Sequence, residues 1–525
     1  MNCRPVIEME MRSASRRSWT FRLRLLFFLA GALACLIVLI LPNTAPTNKG
    51  QTMLVLLSFL GLAYCLGVGG FLTADCVSSE KRGGTLGLLL LTPLSGLDIV
   101  LGKLVCHGLE IFYGVCAAFP VFFLPLLAGG VTWTEVTRIL LALTVALLLS
   151  PAIGLLVSVL GTESRNTMMT TFTSVTLLTV VPILWFITRR FILRALPGPL
   201  PQLSPVFTLL SGFDSSYRLS GGPTQFWGSV VFLFGLSALC IVIAGVLVGR
   251  VFEPGTTQSN RQRLEPNPVR RTPVPESNPY EWLLSRRAVK KRSLGVLIYL
   301  LLIFFVGMLV VSVATPFWGP AFTSAFFTAL GIHLITKLLF VVEATWQINA
   351  DRQSGALELV LVSALPEMGI LDGHLHLLQA ISRKPLMLLI ALNGTLLLWS
   401  ILFAHELHID PRAGMMFAII FTGGLVLAPA DFAALRWTSL VKGLQAQTHP
   451  RAVLRSFSAV MVPPWIGMGL VVAFLSNAQP SGTTSLPEVT FLIWIALSLA
   501  YDWRIVQTCR AQLEGNLRRM TSESA

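Results

Sequence analysis

Twelve long apolar stretches dominate the chain, and each is close to the length that a helix needs to cross a lipid bilayer. Such a helix takes roughly 20 apolar residues, whereas the strands of a membrane barrel alternate apolar and polar residues over about ten. Only 12% of the residues are charged, against about 25% in an ordinary soluble domain. The sequence therefore predicts an all-α polytopic membrane protein. The predicted spans are approximately 23–42, 52–74, 104–128, 137–160, 169–187, 226–249, 294–314, 322–344, 385–404, 412–434, 455–477 and 488–503.

The formal net charge of +14 is unevenly distributed along the chain. Lys and Arg cluster before the first span, between residues 250 and 292, around 435–455 and in the C-terminal tail. Twelve crossings that start inside bring all of these clusters to the cytoplasmic side, as the positive-inside rule expects. This pattern predicts a multi-pass protein of the cytoplasmic (inner) membrane with both termini in the cytoplasm, and it argues against a nucleic-acid partner.

One predicted outer loop, residues 188–225, departs from this charge pattern. It carries four arginines, namely Arg189, Arg190, Arg194 and Arg218. Two explanations remain open from the sequence. Either the loop lies back on the membrane surface, or the fifth span is misplaced.

The spans divide into two sets of six around a connector. Residues 251–292 are rich in Pro and charge and form an exposed linker and elbow, so we take 1–250 as the first half and 293–525 as the second half. Each half is preceded by a basic segment that contains Trp, "RSASRRSWTFRLR" and "PYEWLLSRRAVKKR". Both segments are predicted to be amphipathic elbows at the inner interface, in contact with membrane lipids.

A repeated stretch follows the second span of each half. "EKRGGTLGLLLLTPLSGLDIVLGK" begins at Glu80 and "DRQSGALELVLVSALPEMGILDGH" begins at Asp351, and an offset of 271 residues aligns them without a gap. Glycine permits a sharp turn out of a span, and Pro93 breaks the apolar ladder before it becomes a span itself. Each copy is therefore predicted to be a helix lying in the membrane interface, with its charged start exposed to a cytosolic partner.

The first copy resembles the signature of ABC-2 type transporter permeases, which is roughly an acidic residue, a basic pair, Gly-Thr-Leu-Glu, a Leu run, Thr-Pro-Leu and Gly-Lys. In that family the segment is a coupling helix that docks on a separate ATP-binding subunit. The six-span unit, the basic elbow and a membrane-dipping loop before the last span resemble the family too. The resemblance implies coupling segments at about 75–103 and 346–384, in a membrane core that one chain supplies as two fused six-helix repeats.

The resemblance also assigns candidate residues for the interface with the ATPase. They are Glu80, Gly84, Thr85, Leu86, Thr92, Pro93, Gly102 and Lys103 in the first copy and Asp351, Gly355, Leu357, Glu358 and Gly373 in the second. The two copies depart from the family pattern at different places. Gly87 replaces the usual Glu in the first copy, and Ala364 and His374 replace Pro and Lys in the second. We therefore expect the halves to contact an ATPase pair unequally.

The predicted function is that of a permease subunit, which moves a substrate across the membrane with ATP hydrolysed by two copies of a separate ABC-type ATP-binding subunit. Two alternatives remain open from the sequence. An ion-coupled secondary transporter would need acidic residues deep in broken helices, and the chain offers few. A membrane scaffold would recruit a cytosolic protein through the same loops without moving a substrate.

The chain itself is predicted not to be catalytic. A phosphate-binding loop needs G-x4-G-K-[ST], and "GLDIVLGKL" at Gly96 has one residue too many and Leu in place of the hydroxyl. "LSGGP" at Leu219 imitates an ATPase signature in a predicted outer loop. The two histidines of "HELH", His405 and His408, are three residues apart, whereas the zinc protease motif places them four apart. We expect no cofactor and no metal site.

Four charged residues fall inside or at the edges of predicted spans and are candidate intramembrane polar residues: Glu110, Lys337, Glu343 and Asp431. A charge at the membrane centre costs roughly 2.5–3.5 kcal/mol on insertion scales, so such a residue faces a cavity or partner, or reaches water from a helix end. Positions near helix ends favour snorkelling for the three acids. Lys337 is the best candidate for a translocation path or an ion pair.

Overall fold

The computed structural model describes most of the chain. The described residues are 4–15, 18–40, 46–187, 189, 198–251, 279–288, 305–306, 318–363, 365–403, 411–477, 486–514 and 517–522.

Every regular element in these described ranges is helical, so the predicted all-α fold class is confirmed. The first half contains α1 (Arg4–Ser15), α2 (Ser18–Ile40), α3 (Pro46–Thr73), α4 (Cys76–Gly83), α5 (Thr85–Leu90), α6 (Gly96–Phe122), α7 (Leu124–Ala128), α8 (Trp133–Leu160), α9 (Ser164–Ile187), a 3₁₀ turn (Leu200–Leu203), α10 (Pro205–Gly212), α11 (Asp214–Tyr217) and α12 (Gly222–Val251). The rest of the chain contains α13 (Pro279–Ala288), α14 (Trp318–Gln353), α15 (Ala356–Val362), α16 (Glu367–Phe403), α17 (Pro411–Gln445), α18 (His449–Asn477), α19 (Leu486–Leu513) and α20 (Leu517–Ser522).

Nine helices of the described part are long and apolar enough to cross a membrane, which confirms a polytopic membrane protein. α2 carries a shorter apolar segment, Arg24–Leu39, where the first span is predicted. α9 covers the predicted fifth span but is not among the nine found in the described residues. The predicted seventh span, 294–314, lies outside the described residues apart from 305–306. The count of twelve spans stays a prediction.

One helix lies at the centre of each half. In the first half α8 packs against α3, α6, α9 and α12, and in the second half α17 packs against α14, α16, α18 and α19. Small and branched apolar side chains of α8, such as Ala146 and Leu143, are fully buried, as are Phe432 and Leu435 of α17. Apolar burial around these two helices forms the core of each half.

The two halves contact each other through polar side chains as well as apolar ones. At the start of α9, Ser164 Oγ lies 3.0 Å from Nδ1 of His449, the first residue of α18. The next residue, Arg165, pairs with Glu343 of α14 at 3.3 Å and stacks over the ring of Trp346 at 4.3 Å. Because these groups are largely buried, their pairing holds the first half to the second at this end of the helices.

Several helices continue beyond the ends of the predicted spans. α14 runs on to Gln353 and α17 to Gln445. Glu343 and Asp431 therefore lie inside their helices, and Glu110 lies within α6. All three side chains are buried, so the expectation that they snorkel to water is wrong. Contacts with neighbouring helices, rather than the length of the apolar run, decide where these helices end.

The described residues between α9 and α12, from 198 onwards, pack onto the bundle. The 3₁₀ turn, α10 and α11 pack against α8, α9 and α12. At this end of α8 the buried carboxylate of Glu135 accepts a hydrogen bond from the backbone N–H of Asp214 at 3.0 Å. The carboxylate of Asp214 pairs in turn with Arg138 and accepts a hydrogen bond from Thr132 at 3.1 Å. Polar contacts of α8 thus fix the short helices in place.

We expect Asp214→Asn to remove a stabilising contribution that depends on pH. Burial alone would raise the pKa of Asp214, but hydrogen bonds from Arg218, Thr132 and Arg138 lower it. A carboxylate of this kind stabilises the fold above its unfolded-state pKa, and the contribution is lost as the pH falls through the folded-state pKa. The difference in thermal unfolding temperature between wild type and variant should be constant from neutral pH to about pH 5 and close below about pH 4. A difference that stays the same at the lowest pH would contradict this.

Candidate partner interface

The first connecting segment, between α3 and α6, is a bent and well-anchored element. Gly84 joins α4 to α5 with a φ of +71°, in the left-handed region that glycine adopts without steric cost. Leu86 of α5 is buried. Ser95 then caps α6, because its hydroxyl accepts a hydrogen bond from the N–H of Asp98 at 3.1 Å while the Asp98 carboxylate accepts one from the N–H of Ser95 at 3.2 Å. Both ends of the segment are therefore fixed.

The second connecting segment has the same geometry. Gly355 also has a φ of +71°, and Leu357 is buried at the position equivalent to Leu86. In both segments the hydroxyl after the short helix donates to the carbonyl oxygen three residues earlier, at 2.5 Å. These pairs are Thr92–Leu89 and Ser363–Val360. The two stretches that align by sequence therefore follow one backbone path.

The basic pair of the first segment binds the end of the central helix α8. Lys81 Nζ donates to the carbonyl oxygen of Val159, and Arg82 donates to that of Thr162 at 2.9 Å. The last carbonyl groups of a helix lack partners within the helix and carry partial negative charge, so cations bind them favourably. Arg82 also pairs with Asp75 at 2.9 Å. The basic pair thus attaches the segment to α8.

The second segment makes the same attachment to α17 with different side chains. Arg352 donates to the carbonyl oxygen of Leu444, and Gln353 donates to that of Gln447 at 3.1 Å. Sequence reasoning placed no role on these residues. The basic pair of the signature was the one hint in the sequence. It could not be assigned to a contact within the chain without knowing that the end of the central helix lies beside it.

A pair of apolar side chains projects from each segment. Leu88 and Leu91 are 66% and 82% exposed, and Leu359 and Val362, at the equivalent positions, are 77% and 88% exposed. Side chains three residues apart lie on the same face of a helix. We call these two pairs the apolar tips. Exposed apolar side chains of this kind mark a surface for a protein partner or for the membrane interface.

Each elbow helix is attached to the start of the helix that follows its connecting segment. In the first half Lys103 of α6 pairs with Glu10 of α1 at 2.8 Å and with Glu80 at 2.7 Å. In the second half His374 Nε2, at the equivalent position, lies 2.8 Å from the hydroxyl of Tyr280 in α13. An ion pair in one half thus corresponds to a neutral hydrogen bond in the other.

The structure divides the predicted interface residues by exposure. Leu86, Gly102, Lys103, Asp351, Leu357 and Gly373 are buried, Glu80 and Gly355 are half-buried, and Gly84, Thr85, Thr92, Pro93 and Glu358 are exposed. A partner can touch the exposed group, whereas the buried group positions the segment. The apolar tips were missed, because leucines carry little signal in a Leu-rich chain. Their spacing from Gly84 and Gly355 could have indicated them.

The four candidate intramembrane residues all have partners. Lys337 forms an ion pair with Asp431, and Glu343 pairs with Arg165 as described above. Glu110 Oε2 lies 3.3 Å from Nδ1 of His107. The pairs of Lys337 and Glu343 link different helices, whereas the pair of Glu110 links neighbouring turns of α6.

The remaining motifs take no part in a site within the described residues. The stretch that begins at Gly96 is the start of α6, so it is helical. His405 and His408 lie outside the described residues. In the part of the chain that the structure describes, no three His, Cys, Asp or Glu side chains are grouped to hold a metal ion.

Residues 4–254 match a family model described as "ABC-2 family transporter protein". The matched range runs from the α1 elbow to the end of α12 and contains the first connecting segment. No curated protein matches the chain.

Proposed function

Through residues 4–254 the chain belongs to the ABC-2 transporter family as a multi-pass permease, and from that premise we propose that it forms both halves of a transporter core driven by a separate ATP-binding subunit. The charge pattern supports an inner-membrane location with both connecting segments in the cytoplasm. Two copies of the ATPase would then dock from the cytoplasm, one at each apolar tip.

The matched apolar tips are the observation that carries this proposal. Leu88 and Leu91 on one side and Leu359 and Val362 on the other expose similar fractions at equivalent positions. Each tip lies on a short helix that is fixed at the glycine turn and attached to a central helix. A push on a tip would therefore reach α8 or α17 directly, instead of being absorbed by a loose loop.

The two docking surfaces differ in charge. Gly87 is buried beside the first tip, whereas Glu358 is exposed beside the second. A partner thus meets a carboxylate at one tip only. Since a charged rim affects association more than it affects the apolar anchor, we expect the two sites to bind the same kind of subunit with different salt dependence.

The proposal is tested by capture of the ATPase on variants of the tips. Leu88→Asp with Leu91→Asp, and Leu359→Asp with Val362→Asp, place charges in the surface that the partner would bury. The tagged chain is purified from its native membranes, and mass spectrometry measures any ABC-type ATP-binding subunit that accompanies it. We expect each double variant to reduce the captured amount, and the combination of all four to reduce it about tenfold or more, as loss of an apolar anchor implies.

The matched control is Leu219→Asp, because Leu219 is 66% exposed, as Leu88 is, and lies beside α11, far along the chain from either segment. It should leave capture unchanged. If folded wild type captures no ABC-type ATP-binding subunit, the proposal of a separate ATPase fails. If wild type captures one but ATP drives no transport in reconstituted vesicles, the scaffold alternative replaces it.

A further inference from the structure

The most highly charged buried cluster of the second half lies among three of its long helices. Lys337 of α14 pairs with Asp431 of α17. Asp502 lies on α19, which packs against α17, and its carboxyl group interacts electrostatically with Asp431 and Lys337. All three residues are buried, with Asp502 only 2% exposed. Asp502 was not singled out in the sequence, because it falls at the end of the short predicted span 488–503.

The cluster lies deep in the bundle. At 1.5 Å per residue, Lys337 is about 24 Å from the end of α14 at Gln353, and Asp502 is about 17 Å from the end of α19 at Leu513. The hydrocarbon core of a bilayer is about 30 Å thick. These charges therefore lie well inside helices that are long and apolar enough to cross a membrane, and neutral groupings are strongly favoured in such segments.

The first half has apolar side chains at the corresponding positions. The 271-residue offset relates Lys337 to Leu66, and the 285-residue offset that relates the starts of α9 and α18 pairs Asp431 with Ala146. Ala146 is fully buried in the core of the first half. At these two positions the first half thus has apolar side chains where the second half has an ion pair, so the ion pair is not a requirement of this helix arrangement.

Asp502 has an unusual environment for a buried carboxylate. No donor among the described residues forms a hydrogen bond with either of its carboxyl oxygens. Its charged neighbours are the ammonium group of Lys337 and the carboxyl group of Asp431, which as a carboxylate only accepts hydrogen bonds. Two adjacent carboxylates in a buried site do not both ionise. One proton bound between the two carboxyl groups would give them a hydrogen bond and remove their charge repulsion.

We propose that Asp431 and Asp502 share one proton beside Lys337, so that this cluster is a buried proton-binding site in the second half. The proton comes from water and forms the O–H of Asp502, which donates to a carboxyl oxygen of Asp431. The cluster then contains one ammonium, one carboxylate and one neutral acid, and its net charge is zero. The shared proton links α19 to α17, and loss of the proton would leave two carboxylates repelling each other.

The neighbouring groups favour a proton over a metal cation. Lys337 already supplies the positive charge for Asp431, and one turn away His333 is bonded through Nε2 to the side-chain amide of Asn393 at 2.8 Å. The adjacent Tyr501 directs its hydroxyl to the carbonyl of Ala459 on α18, at 2.8 Å. Hard cations need six or more oxygen ligands, whereas a proton needs two.

Infrared spectroscopy of the purified full chain tests the proposal. A protonated carboxyl group has a C=O stretching band that a carboxylate lacks. We expect wild type at neutral pH to show such a band, Asp502→Asn to lose it, and the matched control Asp372→Asn, an exposed position, to keep it. If the band is absent in wild type, or survives in Asp502→Asn, the proposal is wrong.

Thermal unfolding gives a second readout. Above roughly pH 4 an unfolded chain has released the Asp502 proton while the folded chain keeps it, so wild type should lose stability as the pH rises. Asp502→Asn keeps a donor toward Asp431 and has no proton to release, so its stability should fall less over the same range. Identical pH profiles for the two proteins would overturn the proposal. Neither readout involves an ATPase, so failure here would leave the proposed permease function standing.

Discussion

Lys103→Met will strongly destabilise the first half. The ammonium of Lys103 is almost fully buried between two carboxylates, Glu10 at 2.8 Å and Glu80 at 2.7 Å. Removing one partner of a buried ion pair leaves uncompensated charge, which typically costs 3–5 kcal/mol of the free energy of unfolding. Here two carboxylates lose their common partner. We expect a large fall in thermal unfolding temperature, measured on the detergent-purified protein, together with release of the α1 elbow.

Two further variants identify the cause. The triple variant Lys103→Met, Glu10→Gln, Glu80→Gln also removes both carboxylate charges and should recover most of the lost stability. Lys442→Met is the control, because Lys442 donates its hydrogen bond to the side chain of Gln445 at an exposed site, where such contacts contribute roughly 0–1 kcal/mol. If Lys103→Met is no worse than Lys442→Met, the ion pair does not hold the elbow.

Gly96→Ala will separate α6 from α12 and displace the first apolar tip. A Cβ atom at Gly96 would overlap the carbonyl oxygen of Gly245 and crowd the backbone nitrogen of Gly249 at 3.2 Å. Backbone atoms cannot rotate away as a side chain can, so the two helices must move apart. Overpacking of this kind typically costs 1–3 kcal/mol. Because α6 begins directly after the segment that carries Leu88 and Leu91, capture of the ATP-binding subunit should fall as well.

Gly108→Ala provides the matched control on the same helix. A Cβ atom at Gly108 meets nothing within 4 Å, and alanine favours a helix over glycine by about 1 kcal/mol. This variant should leave the unfolding temperature unchanged or raise it, with capture intact. Equal behaviour of Gly96→Ala and Gly108→Ala would show that the approach of α6 to α12 is not tight.

The helical class and the repeated segment were predictable because both depend on local chemistry. A long apolar run has few alternatives to a membrane helix. Gly84 and Gly355 mark a turn whose left-handed backbone is nearly restricted to glycine, so a gap-free alignment of the two copies already indicated one backbone path. The structure gives both glycines the same φ of +71°.

The contacts around the site were less predictable because they join distant parts of the chain. Lys81 and Arg352 bind carbonyl groups of helix ends that lie 78 and 92 residues further on. The hydropathy pattern placed Asp431 near the end of a span, because hydropathy gives the length of the apolar run and not the length of the helix. α17 continues for several turns beyond the apolar run, because neighbouring helices stabilise these turns. Asp431 is therefore buried in the core instead of lying at the expected boundary with water.

The contact between Ser164 and His449 has a consequence for how this chain can change. Each is the first residue of the helix that follows the central helix of its half, so the contact joins two equivalent positions. In an assembly of two identical subunits, such a position faces its own copy, and every substitution occurs twice. Here the hydroxyl of Ser164 faces the imidazole of His449, so a substitution at either residue changes only one side of the contact. A single polypeptide of this kind can therefore specialise one half, with a proton site or an altered docking charge, while the other half keeps the original chemistry.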